Sequence, residues 1–232
     1  MKNWLILYIL FCIACGNKAD KEKNTFHPQI GDILFQDLYS SPLCNAIEIV
    51  TPGYKNANLS HIGIVVELGE PHCINSNYIF ENNIKILEAI PNSVQKTRLD
   101  SFLNRSFDQN NNPKVIVGRL KSKYQHTIQD AISFLQKKLG FKYDNAFLMN
   151  NNSYYCSELI YEAFEKDSIF QLKKMTFLHP KTNDTLKIWK KYYADLGIKI
   201  PQNKLGINPG TMSISEKIKI VHVYGIPDGL EE

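Results

Sequence analysis

The spacing of apolar residues changes once along this chain, near Tyr124, and that change bounds what the chain can fold into. Upstream, short β-branched runs are bounded by turn residues. Ile30-Gly31-Asp32-Ile33-Leu34-Phe35-Gln36 reads as a turn entering a strand, and His61 to Leu68 is a second strand stopped by Gly69. Ile84 to Ile90 alternates as a third, ended by Pro91; Val94–Leu99 and Lys114–Leu120 follow, separated by the loop at 109–113. Downstream the step becomes three and four. Ile128, Ala131, Ile132, Leu135 and Leu139 mark an amphipathic helix closed by Gly140. After the breaker cluster Asn150-Asn151-Asn152-Ser153, the residues Cys156, Leu159, Ile160, Ala163 and Phe164 form the buried stripe of a second helix. Thr185–Leu196 predicts a third helix and Ile218–Tyr224 a last strand. Strands first and helices later is the pattern of an α+β domain, with helices packed on a curved antiparallel sheet.

A different kind of segment precedes this domain. Met1-Lys2-Asn3 is a short positive start, and Trp4 to Ala14 is an unbroken apolar run. A bilayer span needs about 20 apolar residues, so the run is too short to cross and suits a signal-peptide core. It ends in Cys12-Ile13-Ala14-Cys15-Gly16, and a small residue before a cysteine at that place resembles the lipobox of bacterial lipoproteins, although Cys12 stands where leucine is usual. The resemblance implies lipidation at Cys15, with 1–15 as signal peptide, 16–27 as a flexible tether and 28–232 as the folded domain. The expected location is the cell envelope, periplasm or surface, with the membrane as partner through the lipid. The net charge of +4 is spread over Lys-rich stretches near 20–23, 137–142 and 187–191, which read as solvated faces and not as a nucleic-acid site.

After such processing Cys44, Cys73 and Cys156 remain, an odd number that leaves a free thiol to explain. Cys44 and Cys73 have the option of pairing. No CxxC or paired Cys/His spacing argues for zinc, and no metal or organic cofactor is expected. Cys156 falls at the start of its helix, where unpaired N–H groups favour a thiolate and offer donors to an oxyanion. Glu158 in the same turn brings a negative charge that opposes this. His61 opens a strand, where an imidazole has a fixed position from which to take a thiol proton. Glu88 shares the parity of Ile84, Ile86 and Ile90, so a carboxylate falls on an apolar face, and a buried carboxylate needs a partner. An imidazolium is such a partner, and Glu88 would orient the ring. His27, His72, His126, His179 and His222 sit in tether, turn, helix surface, loop and terminal strand, poorer settings for a base.

Set in order, Gly31-Asp32-Ile33-Leu34-Phe35-Gln36, Ser60-His61-Ile62-Gly63-Ile64-Val65, Leu87-Glu88-Ala89-Ile90, Lys142-Tyr143-Asp144 and Tyr155-Cys156-Ser157-Glu158-Leu159 resemble the permuted papain-like amidases of the YaeF/YiiX family, relatives of the NlpC-type cell-wall peptidases. The resemblance spans residues 29–165 and the closing segment to 225. It implies a circularly permuted papain-like fold, with Cys156 as nucleophile, His61 as base and Glu88 as orienting group. Asp32, Gln36, Tyr143 and Asp144 take structural or substrate-positioning roles by the same resemblance. Residues 167–208 match nothing in the family pattern; they either cover the cleft and set specificity or pad the fold. The implied reaction is cysteine acyl transfer on an amide, and the resemblance together with the expected export implies amide bonds of cell-wall peptides. Two alternatives stand beside it. One is a binding lipoprotein on the same fold without turnover. The other is a lipid-directed acyltransferase or thiol esterase like the lecithin–retinol acyltransferase group, which carries Asn-Cys-Glu-His where this chain has Tyr155-Cys156-Ser157-Glu158.

Overall fold

The computed structural model describes residues 26–38, 41–69, 72–74, 77–79 and 83–231. The expected signal peptide, the expected lipidation site Cys15 and most of the expected tether lie outside the described residues, as do the side chain of Cys73 and hence its pairing with Cys44. In chain order the strands are β1 (Ile33–Gln36), β2 (His61–Glu67), β3 (His72–Ile74), β4 (Asn77–Ile79), β5 (Lys85–Ile90), β6 (Ser93–Arg98), β7 (Val115–Leu120), β8 (Lys173–Lys174), β9 (Leu205–Gly206) and β10 (Ile218–Val223). The helices are α1 (Pro42–Val50), α2 (Leu99–Leu103), α3 (Ile128–Gln136), α4 (Cys156–Ala163), α5 (Lys187–Asp195) and α6 (Pro209–Ser213).

Six strands form one antiparallel sheet in the order β10-β7-β1-β2-β5-β6. Both faces are covered, which is why β2 and β5 read as nearly continuous apolar runs. On one face Ile33, Phe35, Ile62, Ile64, Leu87 and Ala89 pack against Ala131 and Leu135 of α3 and Leu159 and Ile160 of α4. On the other, Leu34, Val65, Ile86, Val115 and Val117 meet Phe102 of α2. Each fully buried side chain of this size contributes about 1.5–3 kcal/mol.

Two helices that the apolar spacing does not announce complete the frame. Helix α1 has a clear start: Ser41 Oγ accepts the Cys44 N–H at 3.3 Å and Pro42 occupies the first turn. Helix α2 takes over at Leu99, which alternation alone assigns to the preceding strand. The predicted helix after Tyr124 begins as a 3-10 turn over Ser122–Thr127, and its α-helical part ends at Gln136, before the chain reverses at Gly140 with φ 82°. A Cβ on Gly63 would lie 2.5 Å from the Ile86 side chain and 3.0 Å from the Phe102 ring, so glycine there lets α2 ride close over the sheet.

Candidate active site

Cys156 is the first residue of α4. The chain reaches it through left-handed turns at Asn150 (φ 64°) and Asn152 (φ 61°), conformations asparagine tolerates, with Ser153 N–H donating to Asn151 Oδ1 at 3.0 Å. Tyr155 then adopts extended backbone as the N-cap, and Glu158 Oε2 accepts its N–H at 3.3 Å. This places Cys156, 6% exposed, in the first turn of the helix. The expectation that Glu158 adds a negative charge needs correcting. Burial pushes its carboxyl up to about 8, ahead of the opposing bond from Tyr155 N–H, so the group is mainly neutral at pH 7.

His61, the first residue of β2, stands where a ring can turn past the end of the sheet. It touches the Phe102 ring on one layer at 5.7 Å between centroids, and the Cys156 thiol of α4 lies on its other side, near enough to raise its pKa. Its Nε2 lies 2.6 Å from Glu88 Oε2, which leaves Nδ1 for the sulfur. Burial by itself would lower the imidazole pKa; the neighbouring Cys156 thiol and the Glu88 carboxylate outweigh it and raise it to about 9. Glu88 is fully buried, as its place in the apolar alternation implies. Burial would raise its pKa, but bonds from Arg105 and His61 bring it down to about 2. Arg105 grips both carboxylate oxygens (Nη1 to Oε2 2.7 Å, Nη2 to Oε1 2.5 Å), and Thr97 Oγ1 donates to Oε1 at 2.5 Å. The guanidinium also sits 5.1 Å above the Phe102 ring. Sequence reasoning misses Arg105 and Thr97. Thr97 carries a signal, since it pairs with Ile86 on the face that holds Glu88; Arg105, beyond α2, carries none.

A cleft of about 160 Å³ opens at Cys156. One wall is α1 (Ile47, Val50) with Ser60; the other comes from segment 167–208 through β8, Phe177, Trp189 and Ile207. That segment, unmatched in the sequence pattern, therefore covers the cleft. Phe177, Trp189 and Tyr193 form an aromatic cluster on Ala46 of α1. Tyr192 Oη donates to Asn145 O at 2.8 Å and Tyr193 Oη to Ala146 O at 3.2 Å. Two bonds tie the cover to the residues on either side of Cys156: Tyr155 Oη accepts Ile207 N–H at 3.2 Å and Ser157 Oγ donates to Ile207 O at 3.1 Å.

The other motif residues divide. Tyr143 is half-buried and lines the cleft. Asp144 is turned inward, accepting Ala146 N–H (2.8 Å) and Leu148 N–H (2.6 Å), and so shapes the loop that receives Tyr192 and Tyr193. Gln36 is fully buried opposite His61 in the β1–β2 ladder and donates from Nε2 to Phe102 O at 2.8 Å, bracing α2 away from the cleft lining. Asp32 pairs with Arg119 through two bonds of 2.6 and 2.7 Å. Among the described residues no group of three or more His, Cys, Asp or Glu is arranged to hold a metal ion.

No curated protein matches the chain. Among solved structures, the chain is similar to the crystal structure described as metalloprotein yiiX from Escherichia coli O157:H7, with a TM-score of 0.64 at 21% identity, covering 86% of this chain and 99% of that one. The family described as permuted papain-like amidase enzyme, YaeF/YiiX, matches residues 27–222. The chain is a member of the YaeF/YiiX family of permuted papain-like amidases.

Proposed function

We propose that this protein is an exported, lipid-anchored cysteine amidase whose nucleophile, base and orienting group are Cys156, His61 and Glu88. The observation that carries the reading is one buried imidazole with the Cys156 thiol on one side and, through Nε2, a buried carboxylate on the other. His61 takes the proton of the Cys156 thiol. The thiolate attacks the amide carbonyl, and the oxyanion meets the free N–H groups at the start of α4. His61 gives its proton to the departing amine, then removes one from the water that releases the acyl group. Glu88, held ionised by Arg105, keeps the ring in register throughout. The run ending in Ala14-Cys15 supports anchoring at the cell envelope. Rapid alkylation of Cys156 by iodoacetamide at mildly acidic pH, lost in His61→Ala, tests the pairing. A rate no faster than a model thiol's sinks it.

The substrate divides into two readings. Export and family likeness support amides of cell-wall peptides. The cleft lining, with Ile47, Val50, Phe147, Phe177 and Trp189, favours a substrate that carries an aliphatic or aromatic chain, as in the lipid-directed alternative. Release of amines from muropeptides, set against release of fatty acid from acyl amides and phospholipids, separates them, with Cys156→Ala as the control.

A further inference from the structure

Charge is unevenly divided in this chain. Residues 167–208 hold eight lysines and three aspartates, a net +5, while the whole chain carries +4. The remaining 190 residues therefore sum to −1. This lysine-rich segment is the cover of the cleft. Among the described residues, Lys173 and Lys174 on β8 are the only charged side chains that line it, and no carboxylate does. Both lysines are exposed, and neither pairs with a carboxylate among the described residues. Lys96 and Lys191, by contrast, have carboxylate partners.

We infer that Lys173 and Lys174 form a subsite for an anionic group, so that the substrate is an amide joining or flanking an apolar chain and a carboxylate or phosphate. The inference rests on the cleft of the proposed amidase but needs no turnover to be tested. An apolar wall rewards a chain for leaving water, and two unpaired ammonium groups at its edge reward a negative end. A cationic substrate would meet only repulsion there, which sets the preference by sign as well as by fit.

The test is binding to the full-length Cys156→Ala protein, measured by calorimetry with two probe pairs. N-octanoylglycine and N-octanoylglycinamide differ by a carboxylate on the amine side. N-octylsuccinamic acid and its methyl ester differ by one on the acyl side. Two exposed charge pairs predict that at least one acid binds about five- to tenfold tighter than its neutral analogue. That ratio falls to about one in Lys173→Gln/Lys174→Gln. It persists in Lys187→Gln/Lys190→Gln, which removes the same charge from α5 outside the lining. Equal binding of acid and neutral probes in the parent overturns the subsite. A ratio kept by the first double variant, or lost equally in the second, overturns it too. Failure of every probe to bind also overturns it, while iodoacetamide reactivity still decides the pairing of Cys156 with His61.

Discussion

On the sheet side of the cleft, buried charges are answered one by one: Glu88 by His61, Arg105 and Thr97, Asp32 by Arg119, Asp37 by Lys114. On the cover side, the lysines stay in solvent, and edge-on and tilted aromatic rings packed against Ala46 of α1 hold the segment in place. A buried ion pair tolerates little displacement, because either partner alone is left with an uncompensated desolvation cost of several kcal/mol. An aromatic cluster is held by area and tolerates shape change. The contrast teaches a division of labour. Groups held to one geometry by paired charges sit on the sheet side; the wall held by ring packing has more freedom of shape.

The largest expected effect lies wholly on the sheet side. Cys156→Ala is expected to lower amide hydrolysis by about 10⁴-fold or more with the fold intact, as removal of a nucleophile does elsewhere. Turnover surviving in that variant would break the comparison at its root. Next, Glu88→Gln is expected to lower kcat/KM by about 10²-fold or more and to move the alkaline limb of the pH profile down from about 9, because a partner that raises the His61 pKa is gone. The same pair sets stability. The His61 contribution is complete below its ordinary 6.5 and is lost as pH rises through about 9; that of Glu88 is complete above its ordinary 4.5 and is lost as pH falls toward about 2. Denaturation midpoints should therefore plateau between these ordinary values, and the plateau should vanish in Glu88→Gln.

A third measurement takes the cover alone. Trp189→Ala removes a ring that is 2% exposed and should destabilise the aromatic cluster by about 3–5 kcal/mol. Affinity for apolar probes should drop, while the alkylation rate of Cys156 changes by less than about twofold if the two walls are separate in function. The smallest effect sharpens the sheet side. Thr97→Val keeps shape and removes one donor to Glu88, for about 1 kcal/mol, or roughly fivefold in kcat/KM.

Much of the saturated side is legible in the amino-acid pattern alone. Alternation locates β1, β2, β5, β6, β7 and β10, and the asparagine cluster before Cys156 marks the start of α4. Glu88 stands out because an acid on an apolar stripe violates a local rule. What answers it does not, since Arg105 reaches Glu88 only through the tertiary placement of α2. Helix α1 has a Ser41-Pro42 start signal, yet it is short and its buried stripe includes Glu48 in place of an apolar residue. The cover is least readable. Its strands are two residues each, and its order comes from rings meeting across Phe147, Trp189 and Tyr192. Contacts of that kind leave no periodic trace.

Ile207 is where the division ends. Both its backbone groups are held by the side chains on either side of Cys156, so the cover and the reactive helix share one splice. Grafting a relative's cover onto this scaffold would succeed only if the graft stops short of that residue or brings its own matching tyrosine and serine. Reshaping of the cleft wall is thereby easier in β8 and α5 than in the 205–208 strip, where any change also pulls on the turn that carries Cys156.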